Sequence, residues 1–335
     1  MKKILSLLTA VTVMVAALAA CGGNSGGSGG GDKGAAAVDT NTVAVGAVVI
    51  ARDDIPEADI YALVSAIFEN KDAITEQHAK GGELDLDFAS SVTSVPYHPG
   101  AAKYFSEKGK DVAAVKDGAG AGESKALTFG TGGESGTYYG FGGVLSSYVS
   151  NNTGVSVTAV TSGGSKANIE DLAAGDVQLG FVQSDVMSYA YNGERLFDSA
   201  VTGFSVVAAL YMEQVQIVTT NPDIKSVADL AGKSVSIGDR GSGVWFNAVD
   251  VLGAYGIDPD SGISPVFQGF SDSAESLKDG KIDAAFVVAG APTTAIVDLA
   301  TSKPVYLVGL DEEHTSGLLA ASPYYSAYTI PAGTY

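Results

Sequence analysis

The chain has 335 residues, of which 46% are hydrophobic and 17% charged, with one cysteine and a formal net charge of −19. Because acidic residues outnumber basic ones by 38 to 19, the chain lacks the basic face that nucleic-acid binding requires. A single cysteine excludes an intrachain disulfide, and the length and apolar content suffice for two lobes with a substantial core.

The first twenty residues predict an exported lipoprotein. Lys2 and Lys3 form a basic start, and residues 4–17 are apolar but too short to span a bilayer. The letters LAAC at 18–21 supply the small residues that precede a lipoprotein cleavage site. We therefore expect residues 1–20 to be a signal peptide and Cys21 to carry a lipid. The Gly/Ser-rich residues 21–37 predict a flexible tether with a reach of roughly 20–25 Å.

Residues 38–111 predict a unit in which a strand is followed by helices. The strand is TVAVGAVVIA, and Pro56 then opens a helix whose apolar residues recur at helical spacing. The Gly/Ala-rich residues 112–126 predict a surface linker.

Beyond the linker, the spacing predicts alternating strands and helices, and the chain repeats itself. Segments DLAAGDVQLGFV and SLKDGKIDAAFV share Leu, Gly and Phe at one offset of 105 residues, and FGTGG is matched by IGDRG at an offset of 108. We therefore expect two α/β lobes of similar topology, at 127–220 and 221–320, and a return segment toward the first lobe at 321–335.

Glycine-rich loops follow several of the predicted strands. In open parallel sheets, ligands bind at the carboxyl ends of strands, where helix N-termini present free N–H groups. Loops at 130–139, 162–168, 183–188, 238–245 and 290–294 fit that position and would face one shared cleft. Such a cleft favours a small anion, especially a carboxylate, with the Gln183 amide and several serine hydroxyls as further partners. The alternative is that these loops merely close βα units.

Other chemistries fit these loops poorly. A nucleotide phosphate loop needs Gly-Lys-Ser/Thr where Gly136 is followed by Thr137, and a dinucleotide fingerprint needs glycine at Ser135. The three histidines lie far apart in sequence and lack metal-ligand spacing. Arg240 lies within the second lobe's loop, where its guanidinium could clamp a carboxylate or simply face solvent. The aromatic residues near the loops could equally wall a pocket or belong to the core.

The residues of this region resemble the TAXI-type solute-binding proteins of TRAP transporters. The resemblance rests on LTFGTGGESGTYYGFGGVLSSYV, TSGGSKANIEDLAAGDVQLGFVQSDVMSYAY, AALYMEQVQIV, SVADLAGKSVSIGDRGSGVWFNA and AAFVVAGAPTTAI. It implies an α/β, type II periplasmic-binding-protein (Venus flytrap) fold with two lobes, an inter-lobe cleft and ligands such as glutamate, glutamine or 2-oxoglutarate. Family members often have proline where Met212 stands, which leaves the role of Glu213 open. Matching motifs, together with Arg240 from its loop, give the candidate ligand-binding residues Gly133, Ser135, Gly136, Tyr138, Ser162, Gly163, Gly164, Gln183, Arg240, Gly241, Ser242 and Gly243.

The order of the segments departs from the family. Residues 39–110 resemble the family's C-terminal segment, which normally follows YYSAYTIPAGTY, but here they precede the first lobe. We interpret this as a circular permutation, natural or engineered, which termini that lie close together tolerate. A circular permutation cuts the original chain at one point. If that point lies at a crossing between the lobes, we expect the lobes to close less tightly.

The sequence therefore predicts a non-enzymatic, lipid-anchored, monomeric solute receptor on the extracytoplasmic face of the membrane, periplasmic if the cell has an outer membrane. It would deliver a small carboxylate to a TRAP-type permease without cofactor or metal. The alternative is a ligand-sensing lipoprotein that signals to a membrane partner; a hydrolase on a two-lobed scaffold is a weaker one.

Overall fold

The computed structural model describes residues 38–115, 120 and 126–335, and strands alternate with helices through most of them. The strands are β1 (Thr40–Arg52), β2 (Leu127–Gly130), β3 (Val157–Val160), β4 (Leu179–Gln183), β5 (Phe204–Thr219), β6 (Ser234–Ser236), β7 (Ser264–Val266), β8 (Ala284–Ala289), β9 (Tyr306–Leu307) and β10 (Ser326–Ile330). The helices are α1 (Glu57–Phe68), α2 (Lys71–Gln77), α3 (Leu86–Ala89), α4 (Pro99–Glu107), α5 (Thr137–Asn152), α6 (Ser165–Ala174), α7 (Ser184–Asn192), α8 (Val244–Ala254), α9 (Phe270–Lys278), α10 (Thr294–Ala300) and α11 (Glu312–Ala321). Short 3-10 helices lie at Ala79–Glu83 and Val227–Leu230.

Two groups of parallel strands are joined by the long strands β1 and β5. The sheet order is β3-β2-β4-β1-β5-β8-β6-β7, with β10 paired to β1 and β9 to β5. Strands β2, β3 and β4 pair in parallel, as do β6, β7 and β8. Strand β1 runs antiparallel to β4 and β5, and β5 runs antiparallel to β8. The long pair therefore connects two sheets of βα type.

The hydrophobic cores divide the molecule into two lobes along this pair. One core contains the second half of β1 with β2, β3, β4 and the first half of β5; we call this part the first lobe. A second core contains Val43 and Val45 of β1, the later part of β5, and β6 and β8; this is the second lobe. A further hydrophobic cluster covers the other face of β8. Successive side chains of β8 belong alternately to this cluster and to the second-lobe core, because the strand is buried on both faces. The α/β fold with two lobes, of the type II periplasmic-binding-protein kind, is confirmed.

The internal repeat corresponds to equivalent elements in the two lobes. In the first lobe, α6 ends at Gly175 (φ 89°) and is followed by β4, which contains Phe181. In the second lobe, α9 is followed by Gly280 (φ 68°) and then by β8, which contains Phe286. Left-handed backbone at the end of a helix favours glycine, which explains why this residue recurs at the offset of 105.

The segment before the linker packs into the first lobe, apart from the start of β1. Helices α1 and α4 contribute Ile60, Leu63, Tyr104 and Phe105 to the first-lobe core. The start of β1 pairs instead with β10, and the amide of Ala332 donates to Asp39 Oδ1 at 2.9 Å. The predicted signal peptide, Cys21, the tether and most of the linker lie outside the described residues. Within the described part, no helix is long and apolar enough to cross a membrane.

Candidate functional site

A cavity of about 100 Å³ lies between the lobes, where the strands of both sheets end. That volume holds several water molecules, at roughly 10–15 Å³ each, and so suits a small solute. Its wall comes from both lobes and from the crossing strand β5. The lining residues are Gly132, Gly133, Gly136, Thr137, Tyr138, Ser162, Gly163, Gly164, Ser165, Gln183, Glu213, Asp239, Ser242, Gly243, Val244, Gly269, Phe270, Val288 and Ala289.

Five helices begin at this cavity, and four of them have glycine at the N-cap; the fifth, α7, has Gln183 there. The glycine N-caps are Gly136 of α5, Gly164 of α6, Gly243 of α8 and Gly269 of α9, and none provides a side-chain cap. Helices α3, α4 and α11, by contrast, are capped by the side chains of aspartate or histidine. The first N–H groups of a helix have no partner within the helix and carry a positive dipole end. The cavity is therefore suited to a carboxylate or another small anion.

Glycine is needed at Gly243 because the other lobe approaches it closely. A Cβ there would overlap the Gln183 carboxamide and lie 2.9 Å from Ser165 Oγ. Gly164 has a different reason, since its φ of 96° lies in the left-handed region that side chains rarely adopt.

Two buried polar atoms in the wall have no hydrogen-bond partner among the described residues. Gln183 is 2% exposed and Ser242 is 8% exposed, yet Gln183 Oε1 and Ser242 Oγ make no hydrogen bond. A buried unsatisfied polar atom costs about 1–3 kcal/mol, so such atoms are rare without a reason. A bound solute that hydrogen-bonds to both would remove that cost.

The acid Glu213 lies in the wall where β5 crosses between the lobes. It is buried, and its Oε2 accepts a hydrogen bond of 2.6 Å from the Tyr138 hydroxyl. Burial raises the pKa of the Glu213 carboxyl to about 8, although the Tyr138 hydrogen bond acts in the opposite direction. Tyr138 stacks on Phe181, with ring centroids 4.7 Å apart and planes at 4°. This stack holds the tyrosine hydroxyl in place against the acid.

The charges of the wall are acidic. Glu213 and Asp239 line the cavity, whereas no lysine or arginine among the described residues does so. Arg240 is exposed, and its guanidinium lies 4.0 Å from the centre of the Phe267 ring. Any negative charge on a bound solute would therefore meet helix N-termini and hydroxyl groups rather than a cationic side chain.

The lobes are closed around this cavity and cap each other's helices. The amide of Ala167 in α6 donates to the carbonyl of Gly241 in the second lobe at 3.1 Å. The amide of Ala295 in α10 donates to the carbonyl of Ser135 in the first lobe at 3.3 Å. These bonds exist only while the lobes are together, so they belong to the closed state.

Nine of the twelve residues predicted from sequence line the cavity, and the structure brings these together. The nine are Gly133, Gly136, Tyr138, Ser162, Gly163, Gly164, Gln183, Ser242 and Gly243. Ser135, Gly241 and Arg240 lie outside the wall; Ser135 and Gly241 instead supply the cross-lobe carbonyls. Of the aromatic residues near the predicted loops, Tyr138 lines the wall, while Tyr139, Tyr211 and Trp245 do not.

Several lining residues were not among the candidates. Thr137 lies between the candidates Gly136 and Tyr138, so the glycine-loop motif could have identified it as well. Glu213 comes from the crossing strand. Asp239 lies within the loop of residues 238–245 that the sequence indicated, whereas Gly269 and Phe270 come from the start of α9, whose residues have no distinctive spacing. Their place in the wall depends on the closure of the lobes.

The histidines support the local structure. His78 and His98 accept hydrogen bonds at helix N-termini, and His314 pairs with Asp311. In the described part of the chain, no three side chains of histidine, cysteine, aspartate or glutamate are grouped to hold a metal ion.

A family model described as the NMT1-like family matches residues 30–109 and 129–335. Among solved structures, the alkanesulfonate-binding protein SsuA from Xanthomonas axonopodis pv. citri bound to MOPS is 18% identical, over 57% of this chain and 63% of that one, with a TM-score of 0.40. An ancestral arginine-binding protein bound to arginine is 19% identical, over 56% of this chain and 79% of that one, with a TM-score of 0.40. A putative L-cystine ABC transporter from Listeria monocytogenes is 21% identical, over 56% and 78%, with a TM-score of 0.39. The chain thus spans less than two thirds of the sulfonate-binding protein, and these likenesses are too distant to assign a ligand.

Proposed function

We propose that this chain, which belongs to the NMT1-like family of periplasmic solute-binding proteins, is an extracytoplasmic receptor for one small carboxylate-bearing solute. The receptor binds the solute between its lobes and presents it for uptake, and it catalyses no reaction. The observation that carries the proposal is the set of four glycine-capped helix N-termini at one cavity that also holds two buried polar atoms without a hydrogen-bond partner among the described residues.

The carboxylate binds to the free amides at the helix N-termini. Their dipole ends are positive, and glycine leaves the backbone open to close approach. The Gln183 carboxamide and the Ser242 hydroxyl then bind other polar groups of the solute. Because the amides come from both lobes, the solute binds more strongly to the closed form and shifts the population toward it.

The acidic side chains favour a solute that also carries hydrogen-bond donors. Asp239 accepts hydrogen bonds, the neutral Glu213 carboxyl keeps acceptor capacity, and the described part of the wall contains no cationic side chain for a second carboxylate. Within the group of glutamate, glutamine and 2-oxoglutarate, this favours the two amino acids.

We further propose that the receptor is anchored by a lipid on Cys21 and delivers its solute to a TRAP-type permease. The support is the LAAC motif at residues 18–21 and the TAXI-type motifs quoted above. On this proposal the protein works as a monomer at the extracytoplasmic face of the membrane.

The circular permutation is also a proposal, and the pairing of β1 with β10 supports it. Strands β1 and β10 pair antiparallel from Thr40↔Ile330 onward, as the two arms of a hairpin would. A short connection between residues 335 and 38 would complete that hairpin and restore the order usual in the family.

The test is a thermal-shift and calorimetric screen of the exported protein against L-amino acids and dicarboxylates. A solute that binds the folded state alone stabilises it by about 2.7 kcal/mol at a concentration of 100 times Kd. We expect L-glutamate or L-glutamine to raise the melting temperature, and Gly243→Ala to remove that rise. If no carboxylate in the panel binds, the proposal is wrong.

A further inference from the structure

The loop of residues 290–293, between β8 and α10, joins the cavity wall to the first lobe; we call it the closing loop. It follows Val288 and Ala289, which line the cavity. Its Gly290 carbonyl accepts a buried hydrogen bond of 3.0 Å from Thr137 Oγ1, at the start of α5 in the first lobe. One turn further on, the Ala295 amide makes the cross-lobe bond to Ser135. The position of this loop therefore determines whether the lobes meet correctly.

Two buried glutamines of β5 hold the closing loop from behind. Gln214 Oε1 accepts a hydrogen bond of 2.7 Å from the Ala291 amide. Gln216 Nε2 donates to Thr293 Oγ1 at 2.9 Å and to the Ala289 carbonyl at 3.2 Å. Both glutamines are 1% exposed. Since β5 is the strand that crosses between the lobes, the loop is fixed to the crossing strand itself.

Tyr335 completes this network. Its hydroxyl accepts a hydrogen bond of 2.9 Å from the Thr293 amide and donates to Gln216 Oε1. Thr293 is fully buried, so its amide needs an acceptor from the protein. The Tyr335 hydroxyl also orients the Gln216 carboxamide, whose nitrogen is directed to the loop.

We propose that Tyr335 is a positioning residue for solute binding, acting through Gln216 and the closing loop on the contact between Gly290 and Thr137. Tyr335 itself does not line the cavity. Its hydroxyl fixes the second lobe in the conformation that the first lobe recognises.

Hydrogen–deuterium exchange of the solute-free protein tests this directly. The variants are Tyr335→Phe and, as control, Tyr255→Phe, which removes a hydroxyl that bonds Asp311 elsewhere in the second lobe. We expect Tyr335→Phe to speed exchange roughly tenfold in residues 289–295 and also in residues 133–138 of the first lobe, as loss of a buried hydrogen bond allows. The control should change neither segment. Unchanged exchange in 133–138 would overturn the proposal, because a purely local role leaves the first lobe untouched.

An affinity measurement with L-glutamate adds a second test, and it rests on the proposed function. Tyr335→Phe and Thr137→Val should each weaken binding roughly tenfold, and the double variant should be no weaker than either, because both break one chain of contacts. Additive losses would contradict the coupling. If the wild-type protein does not bind L-glutamate, the same variants are compared with L-glutamine; if it binds neither, the proposed solute is wrong, and hydrogen exchange alone decides the role of Tyr335.

Discussion

At Gly243 the two lobes approach each other most closely beside the cavity. A methyl group there would overlap the Gln183 carboxamide of the first lobe. We therefore expect Gly243→Ala to hold the lobes apart and to weaken solute binding at least roughly tenfold, or about 1.4 kcal/mol. Isothermal calorimetry measures this loss.

The matched control is Gly253→Ala in the same helix, where a Cβ would meet nothing within 4 Å. This variant should keep the wild-type affinity, and both variants should keep the fold. A Gly243→Ala protein that binds like the control would show that the close approach does not matter for binding.

Glu213 should make the stability of the folded protein depend on pH. The ordinary pKa of a glutamate is 4.5, and burial raises that of Glu213 to about 8. Between these values the folded protein holds a proton that the unfolded chain has released, so the free energy of unfolding falls as pH rises. Glu213→Gln keeps an acceptor for Tyr138 but has no proton to lose. Urea denaturation at pH 5 and pH 9 should therefore show a smaller decrease in the variant.

Asp185 should also contribute to the pH dependence of the free energy of unfolding. Burial raises the pKa of this carboxyl from 3.8 to about 7, so its effect is complete at a lower pH than that of Glu213. Asp185→Asn should therefore make the decrease between about pH 4 and pH 7 smaller, and should leave the contribution of Glu213, which continues to about pH 8. Equal pH slopes in wild type and both variants would mean that neither acid is neutral in the folded protein.

At the scale of elements, the contact of α8 with the first lobe rests mainly on Phe246. This residue of the second lobe is fully buried in the first-lobe core, stacked on Tyr189 with centroids 5.7 Å apart. Removing a buried phenylalanine costs about 3–5 kcal/mol. The ion pair of Arg195 with Asp250 bridges the same lobes at 2.8 Å but is partly exposed, and such pairs contribute about 0–1 kcal/mol.

We therefore expect Phe246→Ala to lower the free energy of unfolding by about 3–5 kcal/mol and Asp250→Asn to lower it by about 1 kcal/mol or less. Equilibrium urea denaturation followed by circular dichroism distinguishes the two values. A larger loss for Asp250→Asn would mean that polar rather than apolar contacts hold α8 against the first lobe.

The elements that the sequence predicted well are those with local signals. The glycine loops and the repeated helix–turn–strand unit depend on backbone conformation and spacing, which the residue types and their positions in the sequence indicate directly. Glu213 carries no such signal, because its place in the wall follows from the register of β5 against β1, where it lies opposite Val45. Arg240 was included as a candidate because its position in the loop allowed either a clamp on a carboxylate or a side chain that faces solvent. Its guanidinium stacks on Phe267 outside the wall. Contacts between the lobes form only in the closed molecule, so no periodic pattern along the sequence predicts them.

At the scale of the whole molecule, the described chain crosses between the lobes on two unbroken strands, β1 and β5. Strand β1 continues from Thr40 to Arg52 through both lobes, and its first residues pair with β10. We expected the lobes to close less tightly only if the permutation had cut a strand that crosses between them. Because β1 is continuous there, that expectation does not apply. A chain that joins residue 335 to residue 38 and opens at 116–125 should bind solute within about threefold of the present one.

The same rejoined chain should be slightly more stable to heat, because a short hairpin connection costs less closure entropy than the longer linker that it replaces. Calorimetry of both proteins measures the solute affinity and the melting temperature together. A tenfold difference in affinity would show that the order of segments controls closure after all.

The glycine N-caps have a consequence for how specificity can change. Where a helix carries its own aspartate or serine cap, its first turn is complete before anything binds. On the proposed function, the solute itself would serve as the missing cap of helices from both halves of the protein, so that binding would complete their first turns. Recognition of the carboxylate then depends on the course of the main chain, which point substitutions alter little. Side-chain substitutions would then change which carboxylate such a receptor binds. Loss of carboxylate binding altogether would require a different backbone conformation in its loops.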